Sequence, residues 1–98
     1  MLMVNVGFGN TVVAGRVVAV MKTGSSPARK LKENAKLDGK LLDMTEGRRT
    51  RSLLIMDSGH VVLSFALAET ITQRMAVLSA ETPVRDLLKE AETEDGDG

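Results

Sequence analysis

The stretch SLLIMDSGHVVLSF, residues 52–65, places two apolar runs on either side of the short polar segment DSG. The runs predict strands over residues 51–56 and 60–65, and the DSG segment predicts a tight hairpin between them. Both runs are almost continuously apolar and lack the alternation typical of a sheet with one wet face. We therefore expect both faces of these strands to be covered.

A chain of 98 residues with two short helices is expected to cover one face of such a sheet but hardly both. A second copy of the protein is the predicted cover for the remainder. The alternative is that the C-terminal helices wrap the sheet sufficiently by themselves.

Working outward from the hairpin, valine-rich and leucine-rich runs predict three further strands, over residues 2–6, 16–21 and 41–44. The first two are separated by the turn sequence GFGN. Ser26 followed by Pro27 predicts the start of a helix that runs to about Asp38 and stops at Gly39. A second helix is predicted over residues 69–79, and Pro83 can open a short third one.

These elements predict an α+β fold: a small mixed or antiparallel sheet of about five strands with two or three helices. Residues 1–80 form the single predicted domain, which is at the small end of what buries a useful core alone. Residues 81–98 are predicted to form an acidic extension, a short helix followed by a disordered tail.

Composition limits the possible classes of protein. There are no cysteines, which excludes disulfides and thiolate metal sites and fits a reducing compartment. No segment approaches the roughly 20 apolar residues of a membrane span, and the N-terminus lacks the pattern of a signal peptide. We expect a cytoplasmic protein that does not contact membranes.

No catalytic constellation is visible in the sequence. His60 is the single histidine, and a lone histidine opening a strand more often makes structural hydrogen bonds than performs catalysis. The segment Gly7-Phe8-Gly9 lacks the third glycine and the helix start of a dinucleotide site, so its glycines more often serve a turn or a close backbone approach. We predict no enzyme, cofactor, metal or small-molecule substrate.

Charge is divided unevenly along the chain, although the net charge is zero. Residues 1–56 contain ten Lys or Arg against four Asp or Glu, and residues 57–98 contain three against nine. Such asymmetry is typical of a basic part that contacts nucleic acid or membrane and an acidic tail. The alternative is that the two halves meet in the fold and cancel.

Basic residues form a stripe on the first predicted helix. Arg29, Lys32 and Lys36 follow at i, i+3 and i+7, so they share one face. A polyanion along this face would offset the repulsion between Lys32 and Lys36. The alternative is a solvated face whose lysines favour the helix C-terminus.

The sharpest signal is EGRRTR at residues 46–51. Gly47 is predicted to turn the chain between two strands, so that Arg48, Arg49 and Arg51 project from a hairpin tip or from its first strand residues. Arginine binds phosphate oxygens bidentately and inserts into narrow minor grooves. Intersubunit salt bridges to the acidic half are the competing interpretation.

The ordered segments VNVGFGN, AGRVVAV, SSPARK, LLDMTEGRRTR, MDSGHVVLS and ETITQR resemble the RemA-type regulators of extracellular-matrix genes in bacteria, over residues 4–74. The resemblance implies a cytoplasmic transcriptional regulator that binds double-stranded DNA. It also implies a homo-oligomeric ring of seven or eight subunits with arginines on its outside, around which DNA bends.

Carried over to this sequence, the family's DNA-contacting arginines fall on Arg16, Arg48 and Arg49. A structural proline of the family falls on Pro27, and Glu46 stands where the family often has an aromatic residue. Arg51 and the helical stripe are added from charge and spacing alone. The alternative function is a non-enzymatic oligomeric scaffold whose basic half binds an acidic protein partner.

Overall fold

The computed structural model describes residues 1–79, which fold into an α+β arrangement of two helices and two sheets. The α+β class is therefore confirmed. The strands are β1 Met3–Gly7, β2 Asn10–Val13, β3 Val17–Lys22, β4 Leu41–Asp43, β5 Ser52–Met56 and β6 Val61–Ser64. The helices are α1 Ser26–Leu37 and α2 Ala68–Ser79, and a 3₁₀ turn spans Ala14–Arg16. The predicted third helix and acidic tail lie outside the described residues.

The strands form a four-stranded sheet in the order β3-β5-β6-β4 and a separate two-stranded sheet of β1 and β2. All pairs are antiparallel except β4 and β6, which run parallel. The prediction of one sheet of about five strands is wrong. Strand β2 was missed because NTVV is short and lies between glycines, and it takes the place beside β1 that was expected for the strand at residues 16–21.

Strands β5 and β6 are buried on both faces, as their apolar runs predicted. On one face Leu54 and Val62 pack in a core cluster completed by residues of β1, β2 and α2: Val4, Val6, Val12 and Ile71. On the other face the cluster consists of Leu53, Val61 and Leu63 against two alanines of α1, Ala28 and Ala35. The small alanines let the helix approach the sheet closely.

The chain therefore covers both faces of its central strands by itself. The inference that a second copy must supply the cover is wrong, because the β1–β2 hairpin, whose second strand was not predicted, adds the missing layer together with α2. Oligomerisation stays a prediction, and it needs support other than the coverage of this sheet.

Helix α1 begins one residue from the predicted cap. Ser25 is the N-cap residue, and its hydroxyl accepts a hydrogen bond from the backbone N–H of Ala28 at 3.2 Å. Pro27 stands in the first turn, where its missing N–H has no cost. Gly39 has φ of +70° just beyond the helix, the left-handed conformation predicted for it.

Candidate functional site

The EGRRTR segment is held by a tight turn. Glu46 and Gly47 have φ of +54° and +78°, and the backbone N–H of Arg48 donates to the carbonyl of Thr45 at 2.9 Å. Positive φ at both central residues with this hydrogen bond is typical of a type I′ turn. The turn sets the direction in which the chain leaves toward Arg48 and Arg49.

This segment connects two strands that are not neighbours. Strand β6 lies between β4 and β5, so the predicted hairpin between them is wrong, because β4 pairs in parallel with β6 instead. The segment is a crossover connection at one end of the sheet. Its far end is fixed where the N–H of Arg51 donates to the carbonyl of Ser64 at 2.8 Å.

A buried threonine anchors the near end of the connection. Thr45 is 2% exposed, and its backbone N–H and hydroxyl both donate to one carboxylate oxygen of Asp43. These two hydrogen bonds, the hydroxyl's first, lower the pKa of Asp43 below its ordinary value of 3.8, and nearby Lys32 adds a smaller effect in the same direction. These hydrogen bonds hold the Asp43 carboxylate at the start of the EGRRTR connection.

Arg48 and Arg49 are both exposed, and no carboxylate of residues 1–79 lies within ion-pair distance of either. Nor does either guanidinium make a hydrogen bond within that part of the chain. Two adjacent cations are thus left with their donors directed to solvent. Such a pair is available to an anionic ligand.

Part of the basic stripe of α1 adjoins this connection. Arg29 and Lys32 line a cleft of about 150 Å³ together with Thr50, the residue between Arg49 and Arg51. The first two members of the stripe therefore lie beside EGRRTR, as a common binding surface requires. Lys36 is exposed one turn further along the helix and does not line the cleft.

Arg51 has a different environment from the other two arginines of the loop. Its guanidinium carbon lies 5.0 Å from the centre of the Phe65 ring, a distance at which the cation is attracted to the ring face. Phe8 lies beside Phe65, with ring centres 6.0 Å apart. A second cleft is lined by Phe8, Arg51, Phe65 and Arg74 of α2, and Arg74 donates to the carbonyl of Asn5 at 2.9 Å.

Sequence reasoning missed this cluster of two phenylalanines and Arg74. A signal was present, since Phe8 and Phe65 are the only aromatic residues in the chain. The GFGN turn was correctly assigned to turn geometry, because Gly7 and Gly9 have positive φ. Apart from the chain neighbours, no atom of residues 1–79 lies within 4 Å of a Cβ built at either glycine, so a close backbone approach in this part of the chain is not the reason for them.

Arg16 lies far from the EGRRTR connection. It is the last residue of the 3₁₀ turn, and β3 begins at Val17, one residue later than the predicted strand start. The Nε of Arg16 donates to Asp57 Oδ2 at 3.2 Å. Asp57 stands at the β5–β6 turn, six residues of mostly extended chain from Arg51, which corresponds to about 20 Å. One copy of the chain therefore carries its predicted DNA-contacting arginines at opposite ends of the sheet.

Other kinds of site have little support in the described residues. His60 Nδ1 lies 2.6 Å from the hydroxyl of Ser58, which is a local turn contact. Within residues 1–79 no three His, Cys, Asp or Glu side chains come together as metal ligands. Over the same range, neither helix has the length and apolar character that crossing a bilayer requires.

Comparison with known proteins gives a family for the chain. The model of the RemA-like family, described as extracellular matrix regulatory protein A-like, matches residues 3–75. A protein of Desulfotalea psychrophila is 65% identical over 78 residues, which cover 80% of this chain and 70% of the relative.

Two further relatives are similar over most of their length. One from Nitratidesulfovibrio vulgaris is 57% identical over 74% of this chain and 82% of its own. One from Syntrophobacter fumaroxidans is 50% identical over 91% of this chain and 94% of its own. The names of all three provisionally describe them as regulatory proteins. The matched residues include every strand of both sheets, α1 and the EGRRTR connection, and the chain therefore belongs to the RemA-like family of regulatory proteins.

Proposed function

We propose that this protein is a DNA-binding transcriptional regulator that acts as a homo-oligomeric ring, binding and bending double-stranded DNA through repeated arginine–phosphate contacts. The observation that carries the proposal is the pair Arg48 and Arg49, exposed beyond a fixed turn and without a carboxylate partner in residues 1–79. The family description supports a regulatory role, and its mention of extracellular matrix favours matrix or biofilm genes as the targets.

The chemistry of the surface suits phosphate. Each guanidinium presents several N–H donors in a plane that matches two phosphate oxygens. Arg29 and Lys32 at the adjoining cleft extend the same positive surface along α1. Asn and Gln side chains, which read base edges, do not line this cleft. The surface therefore suits the DNA backbone more than its sequence.

Repetition of the surface in a ring compensates for weak individual contacts. A single copy with two or three phosphate contacts would bind DNA with a dissociation constant of about 10⁻⁴ to 10⁻⁶ M at physiological salt. Linking several copies adds roughly 10² to 10⁴ in affinity, provided that all can engage one duplex. Sequence preference then comes from how easily a duplex bends around the ring. Binding takes place in the cytoplasm and needs no cofactor or catalysis.

The experiment is a titration of a fluorescent duplex, long enough to encircle a ring, at several salt concentrations. The slope of log affinity against log salt counts the phosphates neutralised, at about 0.9 per contact. Wild type is expected to give a steep slope, and the double variant Arg48→Ala, Arg49→Ala a much shallower one. Lys30→Ala is the matched control, because this exposed lysine lies on α1 away from the buried alanines.

Two results would contradict the proposal. One is the absence of binding by wild type at low salt, and the other is the same slope in wild type and in the double variant. Either would favour the scaffold whose basic half binds an acidic protein. Sedimentation of the double variant keeps the comparison valid, since its oligomer is expected to match that of wild type.

A further inference from the structure

Phe8 forms a projecting apolar knob at one end of the molecule. Its φ is +55°, and it stands between Gly7 and Gly9, whose φ values are also positive. Positive φ is ordinary for glycine but strained for phenylalanine, and strained residues concentrate at ligand clamps and contact sites. The Phe8 side chain is 46% exposed, and Leu67 beside it is 51% exposed. The fold thus leaves about half of Phe8 exposed to water, while its ring packs beside Phe65.

A groove of matching character lies at the other end. It has a volume of about 300 Å³ and a mainly apolar lining. Three methionines, Met3, Met44 and Met56, line it together with Val13 of β2 and Leu42 of β4. Leu42 is 43% exposed and Met3 is 42% exposed. Methionine side chains adapt to irregular surfaces and make favourable contacts with aromatic rings. A groove of this kind suits a phenyl ring.

The strand directions place these two features at opposite ends. In the β1–β2 hairpin, Phe8 belongs to the tip, whereas Met3 pairs with Val13 at the open end. In the β5–β6 hairpin, Phe65 follows the open end, whereas Met56 leads into the turn. The knob therefore cannot reach the groove of its own chain.

We propose that the Phe8 knob of one copy inserts into the methionine groove of the next, joining identical chains head to tail. This inference rests on the ring of the proposed function and names its contact surface. A head-to-tail contact repeats with each added copy, and it closes into a ring when the rotation per copy divides a full turn.

Hydrogen-bond donors beside the knob and an acceptor in the groove favour a second copy as the occupant of the groove. The cleft around the knob contains two arginines, Arg51 and Arg74, and no carboxylate among its lining residues. The groove contains Asp57, whose Oδ2 accepts from Arg16 and whose Oδ1 accepts no hydrogen bond within residues 1–79. An arginine flanking the knob can therefore find an acceptor on the groove of its neighbour.

The contact would also complete the DNA surface. Within one copy, Arg16 and Arg51 lie about 20 Å apart, at the two ends of the strands. Arg16 lines the groove and Arg51 lines the cleft beside the knob. Head-to-tail contact brings Arg16 of one copy close to Arg51 of the next. A continuous basic surface thus requires two copies.

Sedimentation equilibrium of the full chain tests the knob. Phe8→Ala is expected to reduce the mass of the wild-type oligomer toward the 10.5 kDa of one chain. Leu37→Ala is the matched control, because Leu37 is 84% exposed at the end of α1 and should leave the mass unchanged. Leu42→Glu, on the groove side, should dissociate the oligomer as Phe8→Ala does. A monomeric wild type, or folded Phe8 and Leu42 variants that keep the wild-type mass, would overturn the proposal.

Crosslinking tests the direction of the contact. Because the chain contains no cysteine, only the introduced cysteines can react. Chains carrying Leu67→Cys are mixed with chains carrying Leu42→Cys and treated with a short bismaleimide. The proposal expects crosslinked dimers in the mixture and none in either variant alone. Crosslinking of Leu67→Cys alone would mean knob-to-knob contact, and no crosslink in the mixture would also contradict the proposal. This test does not depend on how Phe8→Ala folds.

The two proposals fail differently. If the crosslinks form but wild type does not bind duplex DNA, the head-to-tail contact is supported and the DNA-binding function is contradicted. The opposite result is that the double variant Arg48→Ala, Arg49→Ala loses DNA binding while Phe8→Ala keeps both DNA binding and the oligomer mass. The DNA-binding function is then supported and the head-to-tail contact is contradicted.

Discussion

Asp43 Oδ1 accepts two hydrogen bonds from Thr45, one from the hydroxyl at 2.6 Å and one from the backbone N–H at 2.9 Å. The pair fixes the start of the turn that carries Arg48 and Arg49. Thr45→Val keeps the shape of the side chain and removes the hydroxyl bond, so we expect the free energy of unfolding to fall by about 1 kcal/mol. Arg48 and Arg49 should then be held less firmly, and the binding free energy for DNA should weaken by a similar amount. That corresponds to an increase of about fivefold in the dissociation constant.

Thr45→Ser is the matched control for this prediction, because it keeps the hydroxyl. Urea unfolding gives the stability and duplex titration gives the affinity. Equal DNA affinity in the Val and Ser variants would mean that the hydrogen bond from the Thr45 hydroxyl to Asp43 does not position the arginines.

The same pair predicts a pH dependence. Hydrogen bonds from Thr45 lower the pKa of Asp43 in the folded protein below the 3.8 of the unfolded chain. The contribution to stability is therefore present above pH 3.8 and is lost as the pH falls through the lower, folded pKa. NMR titration of the Asp43 carboxyl carbon should give a midpoint below 3.8, and Thr45→Val should raise that midpoint. An unchanged midpoint would contradict this account.

Glu46 occupies the first central position of a type I′ turn, where Asn, Asp and Gly are favoured. Its φ of +54° strains the backbone, and its charge lies close to the arginines in sequence. Glu46→Asn should raise the free energy of unfolding by about 0.5 to 1 kcal/mol and also strengthen DNA binding. Glu46→Gln removes only the charge, so it should strengthen binding without the gain in stability. Equal stability of the two variants would exclude backbone strain as the cause.

Ser64 is fully buried, and its hydroxyl joins the two sheets by donating to the carbonyl of Val6 at 2.7 Å. The same oxygen accepts from the N–H of Ala66 at 3.0 Å. Ser64→Ala leaves both backbone groups without this partner, and each such loss costs about 1 to 3 kcal/mol. We expect the free energy of unfolding to fall by about 3 kcal/mol in urea titrations. The exposed Ser26→Ala should change it by less than about 0.5 kcal/mol, and equal effects would contradict the prediction.

Local chemistry made the helices and the central hairpin predictable. The start of α1 was correct within one residue, because Ser25 and Ser26 offer the same capping hydroxyl before Pro27. Residues 52–65 formed the expected hairpin with both faces buried. In each case residues close in the chain carry the interactions that decide the structure.

Relations between distant residues were not predictable in the same way. The parallel pairing of β4 with β6 has no local signature, and without it the EGRRTR segment resembles a hairpin. The distance between Arg16 and Arg51 follows from the antiparallel pairing of β3 with β5 and not from any motif. The cluster of Phe8, Phe65 and Arg74 joins residues up to 66 positions apart, so it becomes apparent only in the folded structure.

The parallel pair also orders events in time during folding. The β5–β6 hairpin closes through a turn of a few residues, whereas Leu41 must find Val61, 20 positions away, before β4 can dock. Closing a loop of this length costs more entropy than closing the hairpin, so we expect the hairpin to form in the folding transition state and the EGRRTR segment to acquire its shape afterwards. Destabilising substitutions at Thr45 should then accelerate unfolding and leave the folding rate nearly unchanged, which stopped-flow kinetics can measure. A slower folding rate in Thr45→Val would place this loop in the folding nucleus instead.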